Sequence, residues 1–288
     1  MVVDEEASGL AVAARGLGLR GPRGWVFRDV GIDAGPGALI ALAGPSGSGR
    51  TCLLLTLTGR MRPTEGTATV GGRTLPRRMA ALRRVSALAH VPGVTDLDPA
   101  LTVAEHLRER ELLQRRFGDS VRALLRPRSR SAAGARRRTD AALAAAGLEL
   151  AALPKGPRTA VRDLERVEAL RLSVALALIG RPRLLGVDDT DLKLSAAERE
   201  EVWALLRSLA ASGTTVVAVC AEAPEDAVTV STRHEPAGRS PHENDHPNDH
   251  DHDDAHDDHD AHDDHDDHDD HDDHDKETAD ALAEAGRD

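Results

Sequence analysis

The sequence predicts an α/β protein built on a parallel β-sheet. Three observations carry that expectation. The runs Ala38 to Ala43, Leu184 to Val187 and Thr214 to Val219 are continuous apolar segments of the length of a buried strand. A helical pattern from Ala196 to Ala211 separates the last two, with short connections on either side. A glycine-rich loop, GPSGSGRT at 44–51, joins the first of these strands to a compact apolar helix, Thr51 to Thr58.

Taken in order, Leu10 to about Pro63 reads as strand, turn, strand, glycine-rich loop, helix. Gly35-Pro36-Gly37 turn the chain into the strand at 38–43, and the helix ends near Gly59. Residues 66–76 alternate like a short hairpin turning at Gly71-Gly72, Met79 to Arg84 reads as helix, and Val85 to Val91 as a further strand. From Val103 to Leu172 the pattern is Arg- and Ala-rich and helical, an insertion interrupted at Gly118, Pro127, Gly134 and Pro154. Beyond about Arg233 core-forming residues vanish and the repeat DDH runs to Asp275. The expected organisation is a folded domain over 1–232, with a helical subdomain at about 103–172, and a His/Asp-rich low-complexity tail over 233–288. So apolar-poor a tail cannot bury a core, which predicts disorder.

The 288 residues suffice for one or two domains at about 150 residues each. The net charge of −12 describes no part of the chain. Between Pro241 and Asp275 stand 18 acidic residues and no Lys or Arg, whereas residues 1–240 hold 35 basic and 27 acidic groups, a net of +8. The acidic, polar start MVVDEEASG does not resemble a signal peptide, and no apolar run approaches the roughly 18–20 residues that cross a bilayer. A soluble, cytoplasmic protein is expected. Cys52 and Cys220 are too far apart in sequence to suggest a metal motif and too few for a disulfide framework, which fits a reducing compartment. Only Lys155, Lys193 and Lys276 are lysine, a bias typical of GC-rich coding.

The loop at 44–51 carries the strongest chemical signal. It follows G-x-x-x-x-G-K-[ST] at every position but the lysine, in the required context, after a strand and at the start of a helix. Gly44, Gly47 and Gly49 let the backbone wrap a polyphosphate, the helix N-terminus adds its positive dipole end, and Thr51 Oγ1 can ligate a nucleotide-bound Mg²⁺. The candidate nucleotide contacts are therefore Gly44, Pro45, Ser46, Gly47, Ser48, Gly49, Arg50, Thr51 and Cys52. Arg50 occupies the lysine slot and, being longer and forked, cannot sit between phosphates as a compact ammonium does. The plainer alternative is a Gly-Ser turn that caps a helix. The strand at 184–187 ends in two carboxylates, which places Asp188 beside a metal held at the loop and Asp189 where it can orient an attacking water. Asp188 joins Thr51 as a candidate metal ligand, and Asp189 is the candidate catalytic residue.

Together these motifs resemble the ATP-binding cassette (ABC) ATPases over nearly all of residues 10–230. FRDVGIDAGPGALIALAGPSGSGRTCLLLTLTGRMRPTEGTATVGG is similar to the nucleotide-binding start of that family, DPALTVAEHL at 98–107 to the beginning of its helical subdomain, and ALALIGRPRLLGVDD at 175–189 to the helix and strand ending in its Walker B motif. The resemblance implies a P-loop NTPase fold: a RecA-like α/β core, an antiparallel β portion and an inserted helical subdomain that touches a membrane partner. It also implies ATP and Mg²⁺ as ligands, two cassettes that sandwich two ATP molecules, and hydrolysis that drives transport.

Departures from the family pattern concentrate at catalytic positions. Leu164-Glu165-Arg166-Val167-Glu168 stands where the family has Leu-Ser-Gly-Gly-Gln, so a carboxylate replaces the serine that would contact the opposite γ-phosphate, a repulsive arrangement unless Arg166 offsets it. No glutamine occurs between Arg84 and Gln114 to serve the Q-loop, Ala221 replaces the switch histidine, Asp189 replaces the catalytic Glu, and Ser195 aligns with the D-loop Asp. With Arg50 these make six changes, and loss of one organised transition-state contact typically costs on the order of 10²–10³ in rate. Slow hydrolysis with retained nucleotide binding is expected. Trp25 and Phe27 lie upstream of the loop, where the family places an adenine-stacking aromatic, and stacking and core packing are both open for Trp25.

Arg126 to Arg138 carries six arginines, which reads as a solvated loop, with an anionic-lipid or partner contact as the alternative. No aromatic interleaves them to stack bases, so nucleic acid is not an expected partner. Twelve of the 14 histidines lie in the tail, where dense imidazole and carboxylate can weakly chelate Zn²⁺ or Ni²⁺; a purely polyanionic expansion is the other reading. The expected function is an ATP-binding transporter subunit that acts on a separate membrane-spanning subunit, pairs with a second cassette, and lies in the cytoplasm at the inner face of the membrane. The alternatives are a non-hydrolysing scaffold cassette and a metal-handling accessory.

Overall fold

A computed structural model of the chain describes residues 9–117, 128–191 and 193–232. Its strands form two sheets. In the antiparallel sheet the order is β2 (Gly24–Ala34), β1 (Val12–Gly21), β4 (Glu65–Val70), β5 (Arg73–Leu75). The parallel sheet is ordered β6 (Ser86–Ala89), β7 (Leu184–Val187), β8 (Thr215–Cys220), β3 (Leu39–Ala43), β9 (Val228–Ser231). The helices are α1 (Arg50–Leu57), α2 (Met79–Arg83), α3 (Val103–Phe117), α4 (Arg128–Ala145), α5 (Arg166–Leu178) and α6 (Ala196–Ala211). The expected α/β fold with an antiparallel portion and a helical insertion is present.

Alternation along the parallel strands sorts the apolar residues into two cores. Leu39 and Ala41 of β3, with Val216 and Ala218 of β8, pack toward α3, α4, α5 and α6. Ile40 and Leu42, with Val217 and Val219, pack toward α1, α2 and the antiparallel sheet. Successive side chains of a strand point to opposite faces, so a sheet covered on both sides demands the unbroken apolar runs seen in the sequence. Gly186 of β7 has a separate purpose. A Cβ there would lie 2.9 Å from Leu54 Cδ1 and 3.2 Å from Thr58 Cγ2, so its absence lets α1 lie directly on β7.

The structure divides some segments differently from the sequence reading. Leu10 to Ala34 is a hairpin, with β1 and β2 meeting at Gly21↔Gly24, rather than one strand. Gly134 lies inside α4 and does not interrupt it, because tertiary packing overrides the cost of about 1 kcal/mol for an interior glycine. The arginines from 128 to 138 therefore belong to a helix and not to a loop. α5 runs through Leu172, where the sequence reading ends the helical insertion. β9 has no counterpart in the sequence reading. The tail, with its expected disorder and metal chelation, lies outside the described residues. Among the described residues no helix is long and apolar enough to cross a membrane.

Candidate functional site

The loop 44–49 leaves the C-terminal end of β3, which lies between β8 and β9, and enters α1. Its conformation depends on glycine at two places. Gly49, the N-cap of α1, has φ 84°, and a Cβ on it would stand 2.2 Å from the Val26 carbonyl oxygen. Gly44 has φ 155°, and a Cβ there would stand 2.8 Å from Thr232 Oγ1. Ser48 Oγ and Thr232 Oγ1 share a 2.6 Å hydrogen bond that fastens the loop to the end of β9. No side chain caps α1, and no acidic residue occupies its first turn. The first N–H groups of an α-helix have no acceptor within it, so those of Arg50, Thr51 and Cys52 are placed to receive an anion. Pro45, Ser46 and Gly47 are exposed at the crest of the loop.

The close seat of α1 on β7 brings Thr51 to Asp188. The Thr51 hydroxyl donates to the Asp188 carboxylate, which also accepts the Asp189 N–H at 2.9 Å on Oδ1. Asp188 is 1% exposed, and burial pushes its carboxyl above the usual range against those two hydrogen bonds. A hydroxyl and a carboxylate, both oxygen donors, suit a hard cation that completes its shell with phosphate and water. Among the described residues no group of three or more His, Cys, Asp or Glu is placed to hold a metal by itself. Asp189 follows with φ 49°, half-buried. Burial and the charge of Asp188 raise the Cys52 thiol above its ordinary pKa.

The Arg50 side chain passes Gly44, where a Cβ would lie 3.8 Å from its Cδ, and ends away from the loop. Its Nη1 donates to the carbonyl oxygen of Cys220, the last residue of β8. The Cys220 thiol is buried and pushed up to about 12, chiefly by desolvation. The next residue, Ala221, gives its N–H to Asp191. The segment that follows β8 is thus held from both sides, its carbonyl by Arg50 and its amide by Asp191. Elsewhere the substituted positions have taken structural work. Glu165 is the N-cap of α5, with the Glu168 carboxylate reaching back to its N–H at 2.9 Å, and Arg166 Nη1 donates to the Lys193 carbonyl at 3.2 Å. Ser195 caps α6 in a reciprocal capping box with Glu198.

Two residues gain meaning only from the structure. His90 follows β6 directly, has φ 50°, and gives its N–H to Ser173 Oγ at 2.7 Å. It shares a small cleft with Asp189, Arg166 and Lys193. Burial lowers its pKa although Asp189, Asp188 and Asp96 pull the other way. No spacing in the sequence marks it: His90 follows β6 as Asp188 follows β7, and only the pairing of those two strands brings the residues together. The two readings of Trp25 separate as well. Phe27 is buried in the core, while Trp25 is 36% exposed, with the guanidinium carbons of Arg20 and Arg28 lying 5.8 and 5.0 Å from its ring centre.

A glycine loop entering a helix, seated on a strand that ends in carboxylates, is matched by a family profile. The profile described as "ABC transporter" covers residues 27–191. The chain belongs to the ABC transporter family. Among curated proteins it is 35% identical over 193 residues to "Nod factor export ATP-binding protein I" of Cupriavidus pinatubonensis, an alignment covering 67% of this chain and 53% of that protein. It is 31% identical over 210 residues to "Hemin import ATP-binding protein HmuV" of Gloeobacter violaceus, covering 72% and 71%. The chain thus spans about half the length of the first of these ABC relatives. The solved structure of cbiO1 from Clostridium perfringens, titled as part of the ABC transporter complex cbiONQ, superposes with a TM-score of 0.58 at 16% identity over 74% of this chain and 79% of that one. The cassette MJ0796, solved as a dimer bound to ADP and Pi, superposes at 0.54 with 21% identity over 73% and 88%. At those identities the likeness establishes the ABC cassette fold. Membership of the family implies ATP and Mg²⁺ as ligands.

Proposed function

We propose that this chain is the ATP-binding subunit of an ABC transporter, holding ATP·Mg²⁺ and hydrolysing it slowly. The observation that carries the reading is the Thr51 to Asp188 hydrogen bond beneath a glycine loop whose helix N-terminus is uncapped. The segment Gly44 to Cys52 receives the phosphates on backbone N–H groups, Thr51 and Asp188 hold the magnesium, and the exposed Trp25 ring offers a face to the base. Magnesium would supply charge neutralisation between the phosphates. Asp189 is the residue assigned to orient water. Slow turnover follows from the positions that have taken other work: Glu165 and Ser195 cap helices, Ala221 carries no proton, and Arg50 is engaged at Cys220. The domain is drawn as 1–232 with a helical portion at about 103–172, followed by the tail.

The names of the relatives, an export and an import ATP-binding protein, and the cbiONQ complex support a separate membrane-spanning subunit as partner, and the dimeric MJ0796 cassette supports a second cassette; a place at the cytoplasmic face of the membrane is part of the same proposal. Weak Zn²⁺ or Ni²⁺ binding by the tail rests on its 12 histidines alone. The test is equilibrium binding of a fluorescent ATP analogue to the full chain with and without Mg²⁺, with turnover measured alongside. Magnesium-dependent binding, weakened about 10- to 100-fold by Thr51→Ala, is expected. Binding that ignores both magnesium and Thr51→Ala would establish the scaffold reading instead.

A further inference from the structure

The helical insertion and the parallel-sheet core leave an open cavity between them, at the end of β8 remote from the phosphate loop. It measures about 730 Å³ and lies between α4, the turn that follows α5 and the turn that carries α6 into β8. The sequence of α4 keeps it open. Arg138, Ala141, Ala142 and Ala145 recur at i, i+3, i+4 and i+7, one face of the helix, and all four line the cavity. Alanines on that face leave unfilled the room that larger apolar side chains would take, and close-packed interiors seldom forgo so much contact. Leu178 of α5 and Leu209 of α6 add apolar wall. The charged side chains of the lining are Arg138 and Arg181, and no Asp or Glu joins them. Among the described residues neither guanidinium makes a hydrogen bond or an ion pair. Arg181 also stands where glycine is the cheaper residue, with φ 50° between Gly180 and Pro182. A charge held in a strained turn beside an apolar cavity, with no partner in the fold, is accounted for by a ligand.

We infer that this cavity binds a small amphipathic carboxylate, with its apolar body against the alanines of α4 and the two leucines and its head on Arg138 and Arg181. The volume falls within the roughly 300–1,000 Å³ of small-molecule sites, whose walls are mostly apolar with a few polar groups that fix orientation. A guanidinium fork meets a carboxylate at two points, which sets the direction in which the ligand enters. An inorganic anion would leave the apolar wall in water, and a neutral hydrocarbon would leave both arginines unpaired. Strand β8, six residues and about 20 Å long, separates the cavity from the Cys220 carbonyl on which Arg50 is held. The site is therefore distinct from the one proposed for nucleotide, and the inference does not rest on that reading.

The test titrates the full chain with octanoate, octanamide and acetate, following the ligand resonances by NMR. Octanoate should saturate with a Kd below about 1 mM. It should bind at least about 10-fold tighter than octanamide, which has the same apolar body without the charge, and acetate should not bind measurably. Arg138→Gln with Arg181→Gln should remove the advantage of octanoate over octanamide. Ala145→Trp, at an exposed position, should fill the cavity and abolish binding of both. The arginine pair makes no bond in the fold, so its result stands even where the tryptophan variant fails to fold. Arg136→Gln with Arg137→Gln, exposed on the same helix but outside the lining, should leave octanoate within about twofold. Failure of octanoate to saturate, equal affinity for octanamide, equal binding of acetate, or an equal loss in the Arg136 and Arg137 control would each overturn the proposal. ATP-analogue binding is read on the same samples: its absence with octanoate binding intact would break the cassette function alone, and the reverse would break the cavity site alone.

Discussion

The phosphate-loop side of this cassette and the side formed by α5 and the end of β8 have met different fates. On the first, Gly44 and Gly49 keep a conformation that a Cβ would obstruct, at Gly49 by collision with the Val26 carbonyl, and buried Asp188 accepts from Thr51. On the second, Glu165 and Ser195 have become helix caps, and the Ala221 amide and Cys220 carbonyl are tied to Asp191 and Arg50. The difference follows from what each position does for the fold. A loop wedged between β2, β9 and α1 cannot change without disturbing packing, whereas a helix N-cap accepts any side chain that satisfies its donors. The geometry proposed for binding is thus protected by the core, and the positions proposed for catalysis are not.

Substitutions can break or sharpen that contrast. Gly49→Ala combines a positive φ with a backbone collision and should cost about 3 kcal/mol, read as a lowered urea midpoint; a loss below about 1 kcal/mol would mean that the loop is less constrained than its contacts imply. Restoring Ala221→His together with Glu165→Ser should raise ATP turnover by roughly 10-fold or more while nucleotide affinity stays within about twofold. A matching change in affinity would dissolve the distinction between the two sides. Arg50→Lys should tighten nucleotide binding by about threefold, because a compact ammonium fits between phosphates better than a guanidinium whose Nη1 is tied to the Cys220 carbonyl, whereas Arg50→Ala should weaken it; equal behaviour of the two variants would exclude Arg50 from the site. The smallest effect concerns Ser195→Ala. The two bonds from Ser195 hold the Glu198 carboxyl below its ordinary range. The stability this lends is present above the ordinary glutamate pKa and is lost as pH falls through the depressed one. Wild type and variant should therefore differ more in Tm at neutral pH than in acid, where only the Glu198 N–H bond to Ser195 Oγ is left to separate them; a constant offset would show that the cap works without its charge.

Much of this architecture was legible in the residues. β7 and α6 occur where apolar run and helical period place them, because a twice-covered strand and an amphipathic helix are dictated by burial that the side chains themselves report. The hairpin of β1 and β2 was not. Its register shifts between Ala14 and Leu17 and again between Leu17 and Leu19, so alternation is lost where it would have marked the turn. β9 has one buried residue, Val230, and exists because β3 offers an edge to pair with, a cause that lies in distant residues. The phosphate loop, Asp188 and Asp189 could be named from spacing. The place of His90 beside Asp189 could not, since it depends on β6 lying next to β7.

The strand that launches the phosphate loop pairs only with segments distant in sequence: β3 lies between β8 and β9, roughly 175 to 190 positions downstream. During synthesis, β3 and the loop therefore emerge long before either flanking strand exists. A chain halted before Thr215 would present both edges of an apolar five-residue strand to solvent, an invitation to pair with other molecules. The proposed nucleotide pocket is encoded early and can be assembled only late, so its maturation is timed by the last strands of the fold.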